Sequence, residues 1–473
     1  MRSRFLNPDK LLLIALGALL VSVISQPLGM LIQFFIVWWI AWHPDIRYVP
    51  SLYISLLTKG NFSLFWGHTM MLRMGVTLTS DSAFLLMAFL VVWWGIVKQR
   101  YDGKTKMLFW FWQLAAIPAF IMSFTARANG LIGIWSMPMM DYFAPTFYFW
   151  GWLAARTWDQ GKTYFAERMI VILGILNILW FVGGFRMFTF FLHSMSICLF
   201  LAASSLGVRK SLRMVAGVGA LAGVGCVLFS RYMSMAETSG AGNKAELGST
   251  FTNVAIVVFV VSLSWIVGKI GKGAVLRLIP YVALAFCSII FFYAVANPKQ
   301  LSAVQGDFRY TTLKERFEWK LFGDRGSVWS MGLEEVFDKP YFIKDLRIFL
   351  VETFDPETGR GKMGMKLLPH NQVCYLLGRD GWWLGGILLL FLWLMHCRTF
   401  AVASRIRGAD AIKSFLVPVA AAQFIAVGLT GQTVLTPGFA GHALATLFFP
   451  GLIWGVYQTR LRARRQMYGQ ARG

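Results

Sequence analysis

Charge is scarce in this chain, and negative charge is scarcest. Only 14% of the 473 residues are charged, where a soluble protein carries about 25%. Asp and Glu number 22 against 45 Lys and Arg, so the formal net charge is +23. Cysteine is sparse too. Cys198, Cys226, Cys287, Cys374 and Cys397 make an odd set with no CxxC pair, four of them in or beside apolar runs. That excludes a disulfide framework and a cysteine metal centre. No HExxH, GxSxG or DxD motif occurs. The glycine-rich TSGAGNKAELGS at 238–249 lacks the GK[ST] ending of a phosphate-binding loop and reads as a connection. Nothing points to bound zinc, haem or flavin. Internal repeats, low-complexity tracts and the strict alternation of a β-barrel are missing as well.

Apolar sequence is what the chain has in abundance: 57% of residues are hydrophobic and 16% aromatic. Many runs approach the 18 or so apolar residues that cross a bilayer as a helix. The expected fold is an all-α polytopic membrane protein with 12–14 transmembrane helices. Thirteen spans are expected, at 11–26, 28–42, 83–97, 107–124, 140–156, 169–185, 188–206, 211–229, 252–269, 275–295, 382–397, 411–429 and 440–457. In that setting the excess of Lys and Arg is an orientation signal rather than a nucleic-acid site, with some attraction for anionic head groups besides. The basic connections 98–106, 156–168, 208–213, 269–277 and 398–407, and the tail RLRARRQ, alternate with poorly charged ones and belong in the cytoplasm. The N-terminal MRSR belongs with them, which requires an even number of spans. The segment 49–80 is therefore predicted to hide a further span or a re-entrant helix. MRSRFLNPDK before LLLIALGALLVSVIS has the outline of a signal peptide, but no small-residue cleavage site follows, so an uncleaved first span is expected.

One sizeable polar region interrupts the apolar pattern. Residues 296–369 hold 11 of the 22 acidic and 12 of the 45 basic residues. Alternation places this segment on the outer face. LKERFEWKLF and SVWSMGLEEVF within it read as helices, and Gly and Pro mark turns. The chain thus divides into an N-terminal transmembrane bundle (1–295), a large outer loop (296–381), and C-terminal helices with a basic tail (382–473).

Candidate chemistry lies at the outer ends of the spans. Asn371 suits an N-cap for a short helix, QVCYLLG, followed by a GRDG turn and a new apolar helix from Trp382. His370 then sits at the interface, where a neutral imidazole can accept a proton from a hydroxyl nucleophile, or simply bond a head group or loop carbonyl. Arg325 and Trp329 are four apart and share a helical face. An Arg there suits a phosphate or diphosphate, or else pairs with Asp324 or Glu334. Arg186 lies between two apolar runs, either as a functional cation or snorkelling to the interface. Arg127 and Arg231, also at outer ends, either widen an anionic-ligand site or anchor their spans. Asp141 sits at the edge of a Pro-broken apolar run, where it caps a half-helix, marks a re-entrant turn or orients an Arg. His193 lies within a span and reads as packing.

The order Arg325-x-x-x-Trp329, Pro340, His370-Asn371-x-x-x-x-Leu376, Gly381 and Gly386, in a large outer loop before the last spans, resembles the O-antigen ligase and O-antigen polymerase superfamily. The likeness is strongest over about 320–390. It implies a membrane-integral glycosyltransferase of the bacterial inner membrane, with its site facing the periplasm. The donor would be a glycan on undecaprenyl diphosphate, and the acceptor a sugar hydroxyl or lipid A-core. The resemblance implies no metal or other cofactor. It gives Arg325 and Arg186 to the diphosphate and His370 to acceptor activation. Asn371 and Trp329 of the motif, Arg127 and Arg231 at outer ends of spans, and Tyr375 after His-Asn are the further expected substrate contacts. Where the family shows Gly-Ser-Arg, this chain has Gly-Gly-Phe-Arg at Arg186, and the usual Tyr after His-Asn is displaced to Tyr375. A polymerase is the expected activity. The alternatives are a ligase to lipid A-core, a protein O-oligosaccharyltransferase, and, from another class, a lipid-linked oligosaccharide flippase.

Overall fold

A computed structural model describes residues 6–57, 70–71, 77–78, 80–128, 142–183, 198–200, 202–218, 273–296, 329, 350–354, 361–366, 372–406, 410–419 and 447–470. The principal helices are α1 (Pro8–Ile24), α2 (Gln26–Trp42), α3 (Val49–Leu57), α4 (Ser80–Val97), α5 (Gly103–Ala128), α6 (Thr146–Ala154), α7 (Trp158–Gly183), α8 (Gly273–Ala296), α9 (Gln372–Ala403) and α10 (Phe449–Gln470). Two short antiparallel ribbons accompany them among the described residues, β1 (Met70–Met71) with β2 (Thr77–Leu78) and β3 (Leu350–Phe354) with β4 (Gly361–Lys366). The second ribbon lies in the polar loop, where only helices were expected. The expected loop helices fall outside the described residues, except at Trp329.

Local chemistry explains the helix ends. Asn7 caps α1 by accepting the Asp9 amide at 2.9 Å, with Pro8 at the first helical position. The connection 156–168, expected as a loop, is a short 3-10 turn at Ala155–Thr157 followed directly by α7. Trp158, Phe165, Ala166, Met169, Ile170 and Leu173 recur at helical spacing and are buried, so the apolar stripe starts a full turn and more before the long apolar run. α4 ends with Gln99 in the left-handed region (φ 52°), which lets the Arg100 amide reach back to Gly95 O at 2.9 Å.

The basic connections gather at one end of the bundle. Arg168 and Tyr164 bond Asp9, Arg209 bonds Glu167, and Arg460 bridges Asp159 and Asp410. Arg156 donates to Arg100 O, Arg398 to Lys104 O, and Arg277 to Ser404. This basic end includes residues 6–9, and MRSR itself lies outside the described residues. Such exposed pairs add little stability individually; they record which ends meet. The segment 49–80 contributes α3, buried at Val49, Leu52, Ile54 and Leu56 and packed on α1, α2 and α7.

Among the described residues two helices are long and apolar enough to cross a membrane, Arg277–Ala296 and Gly381–Ala403, and Pro27–Trp42 and Ala83–Val97 are shorter apolar ones. In the first, only 17% of the residues are buried. Leu278, Val282, Phe286, Ile289 and Phe292 all face outward, as do Leu13 and Leu20 of α1 and Leu90 and Trp94 of α4.

At the centre stands α6, all nine residues of which are buried. α10 meets it backbone to backbone. A methyl group on Gly151 would stand 2.5 Å from Phe448 O, and one on Gly455 2.6 Å from Trp152 O. One on Gly451 would run into Tyr148 O. Gly451 and Gly455 are four apart and so line one face of α10, the small-xxx-small arrangement that lets two helices touch. Gly451→Val is expected to force the helices apart, at about 1–3 kcal/mol or more. A detergent-solubilised variant melting with the wild type would contradict this packing.

Candidate functional site

Of the helices that carry the candidate residues, α5 and α8 each run antiparallel to α9. Arg398 Nη1 donates to Lys104 O at 3.2 Å, and Phe391 lies 6.4 Å from Trp112, centroid to centroid. α5 and α9 are therefore antiparallel. Arg277 Nε donates to Ser404 Oγ at 2.9 Å, and Tyr281 packs edge-on against Trp393 at 5.6 Å, so α8 and α9 are antiparallel too. It follows that Ala128 of α5, Ala296 of α8 and the Gly381 bend of α9 lie at one end, opposite the basic end. We refer to it as the loop end. α7 starts at the basic end, and its 26 residues span about 39 Å before Gly183.

α9 is two segments, 372–380 and 382–403, joined at Gly381 with φ 73° and ψ −175°. An L-residue with a Cβ pays about 1–3 kcal/mol for this combination of positive φ and extended ψ, which is why glycine stands there. The short segment folds back so closely that the Leu376 carbonyl occupies the space of a side chain on Gly385. Leu376 is fully buried in the main core. The expected short helix, break and new helix are thus present, with the break confined to Gly381 and the helix continuing through Arg379 and Asp380. Gly385, rather than Gly386, makes the close contact; around Gly386 there is open space. The Gly-Gly pair in WWLGGIL was the available signal.

Trp329 ties the polar loop to this end. Its ring stacks on Phe291 of α8 at 5.3 Å and 28°, it packs against Ala294, and it is 1% exposed. Trp329 is thereby held within two turns of the end of α8. Arg127 is the penultimate residue of α5, with its backbone at the loop end, and Tyr375 lies in the first turn of α9's short segment. Arg186 follows Gly183 by three residues, and His370 and Asn371 immediately precede Gln372. Arg186, Arg231, Arg325, His370 and Asn371, like Asp141 and His193, fall outside the described residues. The structure therefore brings Trp329, the Arg127 backbone and the Tyr375 backbone to one end of the bundle.

Among the described residues no cluster of His, Cys, Asp or Glu is arranged to hold a metal. At the basic end, burial opposes the charge of Arg460, but its bonds to Asp159 and Asp410 outweigh that and hold the guanidinium above the ordinary arginine value. Compared with protein families, with curated proteins and with solved structures, the chain matches none.

Two substitutions test this end. Gly381→Ala is expected to cost about 1–3 kcal/mol from the backbone conformation alone, read as a lowered melting midpoint in detergent. Trp329→Ala is expected to release the polar loop from α8 and expose it to limited proteolysis. An unchanged digestion pattern would show that Trp329 is not the tether.

Proposed function

We propose that the chain is a multi-spanning glycosyltransferase of the bacterial inner membrane, with 12–14 spans, the basic end in the cytoplasm and the loop end in the periplasm. Its proposed activity is polysaccharide polymerisation, moving glycan from undecaprenyl diphosphate to a sugar hydroxyl. The observation that carries this reading is the ordered motif Arg325-x-x-x-Trp329, Pro340 and His370-Asn371, whose Trp329 seats on α8 at the same end as the bend of α9. The outward apolar faces of α1, α4 and α8 and the gathering of basic loops at one end support the membrane orientation.

In this reading each group has a distinct task. The acceptor oxygen attacks the anomeric carbon while the bond from that carbon to the phosphate oxygen breaks, so the anomeric configuration inverts. The leaving diphosphate already carries its charge and needs cations more than a proton. Arg325 and Arg186 supply them, and Arg127 and Arg231 extend the positive rim. The acceptor hydroxyl has a very high pKa, and His370 takes its proton as the new bond forms. Asn371, Trp329 and Tyr375 position the sugars, and the apolar spans hold the polyprenyl tail.

Reconstitution with an undecaprenyl-diphosphate oligosaccharide, with lipid A-core offered in parallel, tests the assignment. Longer glycans formed without the core acceptor are expected. Transfer only to core would make the chain a ligase, transfer only to protein hydroxyls an O-oligosaccharyltransferase, and translocation without transfer a flippase. His370→Ala is expected to slow transfer about 10²–10⁴-fold and Arg325→Ala about 10²–10³-fold. Wild-type rates in both variants would overturn the site.

A further inference from the structure

Most arginines that pin the basic end together have a carboxylate. Arg47 holds Asp45, Arg168 holds Asp9, Arg209 holds Glu167, and Arg460 holds both Asp159 and Asp410. Two residues further along α10 the pattern changes. Arg462 lies over the ring of Trp152 at 5.8 Å, and Arg156 lies over the same ring at 5.7 Å. Arg156 Nη2 also donates to Arg100 O at 3.3 Å. Arg100, Arg156 and Arg462 come from three separate elements, are all exposed, and form no ion pair among the described residues. Like charges brought together in this way repel unless an anion joins them. Burial, then Arg100 and Arg462, push the Arg156 guanidinium below the ordinary arginine value.

The backbone holds the cluster in place. The left-handed turn at Gln99 presents Arg100, and the 3-10 turn Ala155–Thr157 presents Arg156. Outward of the cluster, α4 offers an apolar strip. Trp94 is half exposed with Lys98 Nζ 4.8 Å from its ring, and Leu90 and Val97 also face out.

We propose that Arg100, Arg156 and Arg462 form a binding site for the phosphate of an anionic phospholipid, whose acyl chains lie along the outer face of α4. The membrane source, rather than a free phosphate, follows from the apolar strip beside the cations. Guanidiniums suit phosphate oxygens because their paired N–H donors match them. The inference rests on the multi-spanning reading, and not on the transferase chemistry at the opposite end.

The test is a melting-midpoint titration of the full chain in neutral detergent, with short-chain phosphatidylglycerol, short-chain phosphatidylcholine or inorganic phosphate. Phosphatidylglycerol is expected to raise the midpoint, and the other two are not. In the triple variant Arg100→Gln, Arg156→Gln, Arg462→Gln the apparent affinity is expected to fall about 100-fold, from about fivefold per arginine. Arg405→Gln, exposed elsewhere at the basic end, is expected to keep it. Equal stabilisation by phosphatidylcholine, by phosphate alone, or of the triple variant would overturn the proposal. Should the triple variant not fold, Arg462→Gln alone, on the exposed stretch of α10, is expected to weaken binding about fivefold, and unchanged affinity would overturn it. No glycan transfer is measured, so an inactive protein that still binds phosphatidylglycerol would sink the transferase reading alone.

Discussion

The backbone contact between α6 and α10 is the constraint on which the rest of the bundle depends. α6 has no exposed face, so every element around it must fit against it. Gly151, Gly451 and Gly455 remove the side chains that would hold α10 away. From α6 the contacts pass outward in sequence. Phe149 stacks on Trp112 of α5 at 5.5 Å and packs near Phe391 of α9 at 6.1 Å. α9 meets α8 through Trp393 and Tyr281, and α8 carries Trp329 on Phe291. The polar loop is therefore tethered through packed aromatic layers to a contact made of three glycines. Close-packed interiors transmit such displacements rather than absorb them.

The two ends of the bundle have different electrostatic characters. At the basic end, short polar connections are stitched by ion pairs and by Trp454 Nε1 donating to Asp102 at 3.0 Å. These bonds set which loops are neighbours. At the loop end the described contacts are apolar, with Trp329 on Phe291 and Leu376 in the core. The lipid-phosphate site we propose uses the basic end, where three arginines form no ion pair among the described residues and lie beside an outward apolar strip.

Much of this was legible in the residues themselves. Apolar run length marks α1, α2, α4, α5, α8 and α9, because helix burial and helix exposure to an apolar medium both demand continuous apolar sequence. Lys and Arg placement marks the connections that share an end. The Asn371, Gly381 and Trp382 pattern marks a short helix, a break and a new helix, because the left-handed backbone at Gly381 admits little but glycine. The motif residues Arg325, Trp329 and His370 could be singled out by type and spacing, though not by what they touch.

Other features only the tertiary structure decided. That all nine residues of α6 are buried depends on the partners around it. No single-sequence pattern separates a buried short helix from a longer apolar one. Gly451 and Gly455 read as ordinary glycines until α10 is placed against Tyr148 and Trp152. Gly385 rather than Gly386 carries the close contact, because helix direction after the bend decides which neighbour turns inward. The convergence of Arg100, Arg156 and Arg462 joins residues up to 362 positions apart. Charge can be counted along a chain, but its compensation depends on distance, and distance is set by the fold.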